Sequence, residues 1–176
     1  MSRFLQVCLL CLISGSACAA PTAKISVFKD LPELEALHNY VGAWDVVVSS
    51  GPTPVFLGEA TAEWILDGRY VQQTASLRAQ DGKPGLKFTT LMTFDPVKRI
   101  YRSWTFMGNG SRSESEGVWD AKTRTMSWTS HKDDAGNSST TKADFSISGI
   151  EKVKIVVKAS NGAVVSEVTA DNRRRK

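Results

Sequence analysis

The chain has 176 residues, 41% hydrophobic and 23% charged, with a formal net charge of +4. This is the composition of an ordinary globular protein, long enough to bury one core without metal or disulfide staples. The charge is too small to argue for a nucleic-acid partner.

The first element is a processing segment. Met1-Ser2-Arg3 gives a positive start, Phe4 to Ile13 is a nearly unbroken apolar run, and Ser14 to Ala19 are small residues before a cut. That order predicts a secretory signal peptide over residues 1–19, cleaved after Ala19. Its apolar stretch is about ten residues, against the roughly 20 that cross a bilayer, and no later segment is apolar enough for a stable membrane span. Cys8, Cys11 and Cys18 all fall inside it, so the mature chain carries no thiol and no disulfide framework. Cys18 as a lipid-anchored N-terminus is the other reading, and it lacks the aliphatic residue usually wanted three places ahead. Removing Arg3 leaves 21 basic residues against 18 acidic ones, a net charge of +3. The expected location is periplasmic or secreted, with residues 20–29 as a linker.

Residues 30–38 read as the one helix. Asp30 is placed to cap it, Pro32 suits a first turn, and Leu34, Leu37 and Tyr40 form an apolar stripe. From Trp44 onward the period changes to two. Trp44, Val46 and Val48 alternate with Asp45, Val47 and Ser49; Leu86, Phe88, Thr90, Met92 and Phe94 alternate with more polar neighbours; Val153 and Ile155 alternate with Lys152 and Lys154. Such alternation marks strands with one buried face. Turn signals including Asp67-Gly68, Asp81-Gly82, Gly108-Asn109-Gly110 and Asn161-Gly162 separate the runs. The predicted strands are 42–49, 57–66, 69–79, 86–94, 99–106, 112–119, 124–131, 139–147, 151–159 and 163–171. A meander of about ten antiparallel strands removes its edges by closing, so the expected fold is an all-β, up-and-down barrel over residues 30–172. A two-sheet sandwich is the alternative. Arg173 to Lys176 read as a solvated basic tail.

A short helix followed by Gly42-Ala43-Trp44-Asp45 on the first strand resembles the Gly-x-Trp motif of lipocalins and other calycins. The resemblance implies that Gly42 and Trp44 help close one barrel end and that a late basic residue, here Arg173, packs over the tryptophan. A second likeness covers most of the mature chain: Leu34…Leu37…Val41-Gly42-Ala43-Trp44-Asp45, Leu66-Asp67-Gly68-Arg69-Tyr70, Phe94-Asp95…Tyr101 and Gly117-Val118-Trp119-Asp120. It is similar to an exported bacterial family known as domain of unknown function 1579. That likeness supports the calycin-type barrel and supplies no catalytic residues, since a fold alone does not imply an activity.

Candidate chemistry is sparse. His131 stands beside Asp133 and Asp134, but zinc needs three or four converging ligands, and the two aspartates lack calcium-loop spacing. No metal site is predicted. The haem-binding barrels of nitrobindin type are also similar in outline, and that resemblance implies a late histidine inside the barrel. His131 is the last histidine, and it falls out of phase with the buried face assigned to Met126, Trp128 and Ser130. No haem or other cofactor is therefore expected. No Gly-x-Ser-x-Gly elbow exists, and Glu114 and Glu116 read as the outer face of a strand. Asp67-Gly68-Arg69 reads as a tight turn.

The aromatic residues are the richest resource. Trp44, Trp64, Trp104, Trp119 and Trp128 lie on separate strands, so several can converge on one pocket, with Gln72, Gln73, Ser103 and Thr105 as polar partners. Trp64, Gln73, Trp104 and Trp128 are the predicted ligand-binding residues. The expectation is a non-catalytic barrel that holds a small apolar or amphipathic ligand. The alternatives are an envelope structural or interaction protein with a filled barrel, and a weak enzyme with its site in the barrel mouth.

Overall fold

The computed structural model describes residues 31–176. The predicted signal segment with its three cysteines, the linker 20–29 and the capping residue Asp30 lie outside the described residues. Ten strands follow one helix: β1 (Gly42–Ser50), β2 (Thr53–Ile65), β3 (Tyr70–Ala79), β4 (Leu86–Asp95), β5 (Ile100–Met107), β6 (Arg112–Asp120), β7 (Thr125–Ser130), β8 (Ser138–Asp144), β9 (Ile150–Lys158) and β10 (Val164–Arg174). Each pairs antiparallel with its chain neighbour, and β10 pairs with β1, so the meander closes into a barrel rather than splitting into a sandwich.

The helix Pro32–Asn39 is of 3-10 type, and Leu31 stands at its N-cap without a side-chain capping bond. The apolar spacing explains the geometry. Leu31, Leu34, Leu37 and Tyr40 recur every three residues, and a 3-10 helix aligns residues three apart. Leu34 and Leu37 are fully buried against Met92, Phe94, Tyr101 and Met126. Each such leucine contributes about 1.5–3 kcal/mol, which holds a helix too short to persist alone.

Three boundaries differ from expectation. Strand β2 begins at Thr53, because Pro54 lies opposite Ser49 at a register shift, where a missing backbone donor is tolerated. Strand β8 stops at Asp144, whose Oδ1 accepts the Ser146 N–H at 2.7 Å. Phe145 then turns inward onto the Tyr40 ring, with centroids 4.9 Å apart. Strand β10 runs on to Arg174, and Arg175 donates its backbone N–H to Ala43 and pairs with Asp45 and Glu59. Residues 173–175 are thus part of the barrel wall rather than a solvated tail.

The helix closes one end of the barrel. Trp44 Nε1 donates to the Tyr40 carbonyl at 2.8 Å, and Tyr101 Oη donates to the Glu33 carbonyl at 2.7 Å. The basic residue over Trp44 is Arg174, not Arg173: its guanidinium carbon lies 4.4 Å from the indole centroid. Arg174 also donates to the carbonyls of Asn39 and Val41. The register decides this. Trp44 pairs with Arg174 while Arg173 pairs with the outward Asp45, and a one-residue slip reverses the face. Gly42 fits the same arrangement. Its φ is +131°, and a Cβ there would lie 3.0 Å from Arg174 Nη1.

Candidate functional site

Inside the barrel is a cavity of about 570 Å3, within the range of small-molecule sites. Its wall is apolar on one side and mixed on the other. Val46, Val48, Ala75, Leu77, Ile155 and Val168 present an apolar side from β1, β3, β9 and β10. Thr90, Ser103, Thr105, Ser113, Ser115, Ser139 and Thr141 present hydroxyls from β4, β5, β6 and β8, interleaved with Leu86, Phe88, Met92 and Met107. The pairing register builds the polar side: Gln73, Thr90, Thr105 and Ser113 are successive cross-strand partners in one row. Thr90 and Thr105 hydroxyls meet at 2.9 Å.

The floor, beneath the end helix, carries the strongest electrostatics. Glu151 is only 4% exposed and Asn172 8%. They face each other across β9 and β10, and Asn172 Nδ2 donates to Glu151 Oε2 at 2.7 Å. Asn172 Oδ1 is buried with no hydrogen-bond partner. Burial raises the Glu151 carboxyl from 4.5 to about 7, against the opposing pull of the Asn172 bond and the positive charge of Arg174. Beside them Trp128 Nε1 donates to Tyr40 Oη at 3.0 Å. Burial and the negative charge of Glu151 hold the Tyr40 phenol well above its ordinary value, so it stays neutral. A carboxyl poised near neutrality can accept or release a proton, or hold a cationic or donor group.

Of the predicted ligand-binding residues, Gln73 and Trp128 line this cavity. Trp128 lies over Gly117, where a Cβ would come 2.5 Å from its ring. Trp64 sits at the closed end instead, its Nε1 donating to His38 Nδ1 at 3.4 Å. Trp104 is on the outer surface, because its neighbours Ser103 and Thr105 take the inward phase of β5; the Arg102 guanidinium stands 5.3 Å from its ring centroid. Gln72 is likewise out of phase with the inward Gln73.

The charged cluster that drew attention in the sequence lies outside the barrel. Arg102 bonds Glu114, and the exposed His131 imidazole is 3.8 Å from both Glu114 and Glu116. Neither His38 nor His131 lines the cavity. Among the described residues no group of three or more His, Cys, Asp and Glu side chains is arranged to hold a metal ion. No helix of the described residues is long and apolar enough to cross a membrane. Asp67-Gly68-Arg69 forms the β2–β3 turn, with positive φ at Leu66, Asp67 and Gly68.

Tyr40, Glu151 and Asn172 were not foreseen. Phase was the available signal. Glu151 continues the inward series of Val153 and Ile155 by one step of two, and Asn172 continues that of Val168 and Ala170.

Ten antiparallel strands closed around an interior cavity, with a helix and a Trp–Arg stack sealing one end, define a lipocalin-like barrel of the calycin type. The chain belongs to the family described as protein of unknown function DUF1579, which matches residues 30–170. Among solved structures it is similar to the S-type phycobiliprotein lyase CPES from Guillardia theta, with a TM-score of 0.62 and 11% identity, covering 81% of this chain and 92% of that one. It is also similar to Rv2717c from M. tuberculosis, with a TM-score of 0.58 and 14% identity, covering 82% of this chain and 98% of that one. At these identities the likeness is one of fold. No curated protein matches the chain.

Proposed function

We propose that this chain is an exported, non-catalytic carrier that holds a small amphipathic ligand inside its barrel. The observation that supports the reading is the cavity of about 570 Å3, apolar on one side and with hydroxyls set among apolar residues on the other. A structural protein with a filled barrel has no use for such a space, since interiors are otherwise close-packed. The division favours a ligand with a polar edge over a plain hydrocarbon, because buried hydroxyls left without partners are costly. Export rests on the order of residues 1–19 and on the absence of cysteine after Cys18. An N-terminus at Ala20 on the periplasmic or secreted protein supports it; retention of residues 1–19 or acylation at Cys18 overturns it.

Binding is tested by titrating single-chain amphiphiles while following tryptophan fluorescence, to which Trp128 contributes from the cavity wall. The wild-type chain responds saturably. Ala75→Phe and Ala170→Phe, which fill the cavity from its apolar side, abolish the response while melting as cooperatively as wild type. Equal binding by the filled variants would place the ligand elsewhere.

A further inference from the structure

We infer that the barrel floor is a head-group site for a primary ammonium, so that the ligand is an amphipathic amine seated head-inward with its apolar body toward the mouth. The inference rests on the cavity being a ligand site and adds which end of the ligand enters first and what chemistry it carries.

One acceptor at the floor is unmet. Glu151 and Asn172 are both more than nine-tenths buried and both line the cavity. Their mutual bond uses one carboxylate oxygen and the amide N–H, and it leaves Asn172 Oδ1 without a donor. A buried acceptor left unpaired is destabilising, so the floor asks for N–H or O–H groups. The N–H donors nearest it are engaged. Trp128 Nε1 is committed to Tyr40 Oη, and the Arg174 guanidinium is committed to the carbonyls of Asn39 and Val41 and to the Trp44 face.

Charge then separates an amine from an alcohol. The groups facing Glu151 are Asn172 and Arg174 from β10 and the neutral Tyr40 phenol from the helix end. The nearest cavity residues of β7 and β8, Trp128 and Ala143, carry no charge. The Arg174 guanidinium is held by the Asn39 and Val41 carbonyls and acts on the carboxylate through its field, so Glu151 remains a desolvated acid on the cavity wall. A primary ammonium brings three donors and a compensating charge, whereas a hydroxyl brings one donor and no charge. A carboxylate head brings only acceptors and repulsion.

The wall continues the fit. From Glu151 to Ile155 strand β9 offers about 13 Å of inward face, apolar on this side and hydroxyl-bearing across the cavity on β5 and β6. A chain lying along it keeps its apolar edge on Val153 and Ile155.

Decylamine, decanol and decanoate, which share one tail, test the head group by calorimetry and tryptophan fluorescence. At pH 8 decylamine is expected to bind at least tenfold more tightly than decanol, and decanoate weakest. In wild type the affinity for decylamine falls about tenfold per pH unit below pH 7, because binding requires the ionised carboxylate, while that for decanol stays level. Glu151→Gln removes both the amine preference and its pH dependence. Because the pH profile is read on wild type, a poorly folding variant does not blunt the test. Equal affinities for the three heads, or a pH-independent amine affinity, overturn the head-group assignment and leave the cavity reading standing. No response to any of the three, with no small molecule retained by the natively purified protein, overturns both.

Discussion

Glu151 is a buried acid that forms no ion pair among the described residues, with the Arg174 charge acting on it only through its field. Its carboxyl is protonated in both folded and unfolded chains below pH 4.5; between 4.5 and about 7 only the unfolded chain ionises. The folded state therefore loses stability as pH rises through that window, by about 3 kcal/mol in the ligand-free protein. Urea unfolding at steps from pH 4 to 8 is expected to show this slope in wild type and a flatter profile in Glu151→Gln. A second contrast separates adjacent arginines. Arg174→Ala loses the stack on Trp44 and two carbonyl partners, and is expected to cost about 1–2 kcal/mol. Arg173→Ala, on the outer face, is expected to stay within about 0.5 kcal/mol by thermal melting. At this scale legibility depended on phase. The alternation exposed which face of each strand points inward, and Glu151 shares the phase of Val153 and Ile155, but a carboxylate at a strand end is not by itself a sign of burial. The closing arginine was missed by one position, because strand β10 was expected to end at 171 and the side to which 173 points depends on its continuing.

The elements that close the barrel are held by few but well-buried contacts. Leu37→Ala removes a fully buried side chain between the helix and the barrel and is expected to cost about 2–5 kcal/mol, read as a drop in the urea midpoint. Gly117→Ala is expected to displace Trp128, which lies where the new methyl would stand, and to cost about 1–3 kcal/mol with a change in tryptophan emission. The residues that carry the family likeness gather at this end. Asp95 and Asp120 each cap a hairpin by accepting two backbone N–H groups. Four residues later Arg99 and Arg124, both at positive φ, reach back to Glu33 and Asn39 of the helix. Strand count and order were legible because period two and turn residues are local signals. Helix type was not, because the choice between α and 3-10 is made by the surface on which Leu34 and Leu37 land.

At the scale of the molecule, closure converts ten half-buried strands into one protected interior, and the interior is left partly unfilled. The five tryptophans suggested an aromatic pocket, yet only Trp128 among the four predicted ligand-binding residues joins Gln73 on the cavity wall. Trp64 and Trp104 serve the closed end and the outer face. The polar side of the wall was legible only in part, since Ser and Thr are equally at home on a wet strand face, and their inward direction depends on registers that span many strands. An interior that serves as a ligand site is occupied in the working protein. Native mass spectrometry of the protein purified gently from the cells that make it addresses this most directly. The expected result is a mass excess of one small amphiphile per chain, lost on denaturation and absent from Ala75→Phe. A bare chain mass across growth conditions, for a protein that also gives no tryptophan response to added amphiphiles, would contradict it.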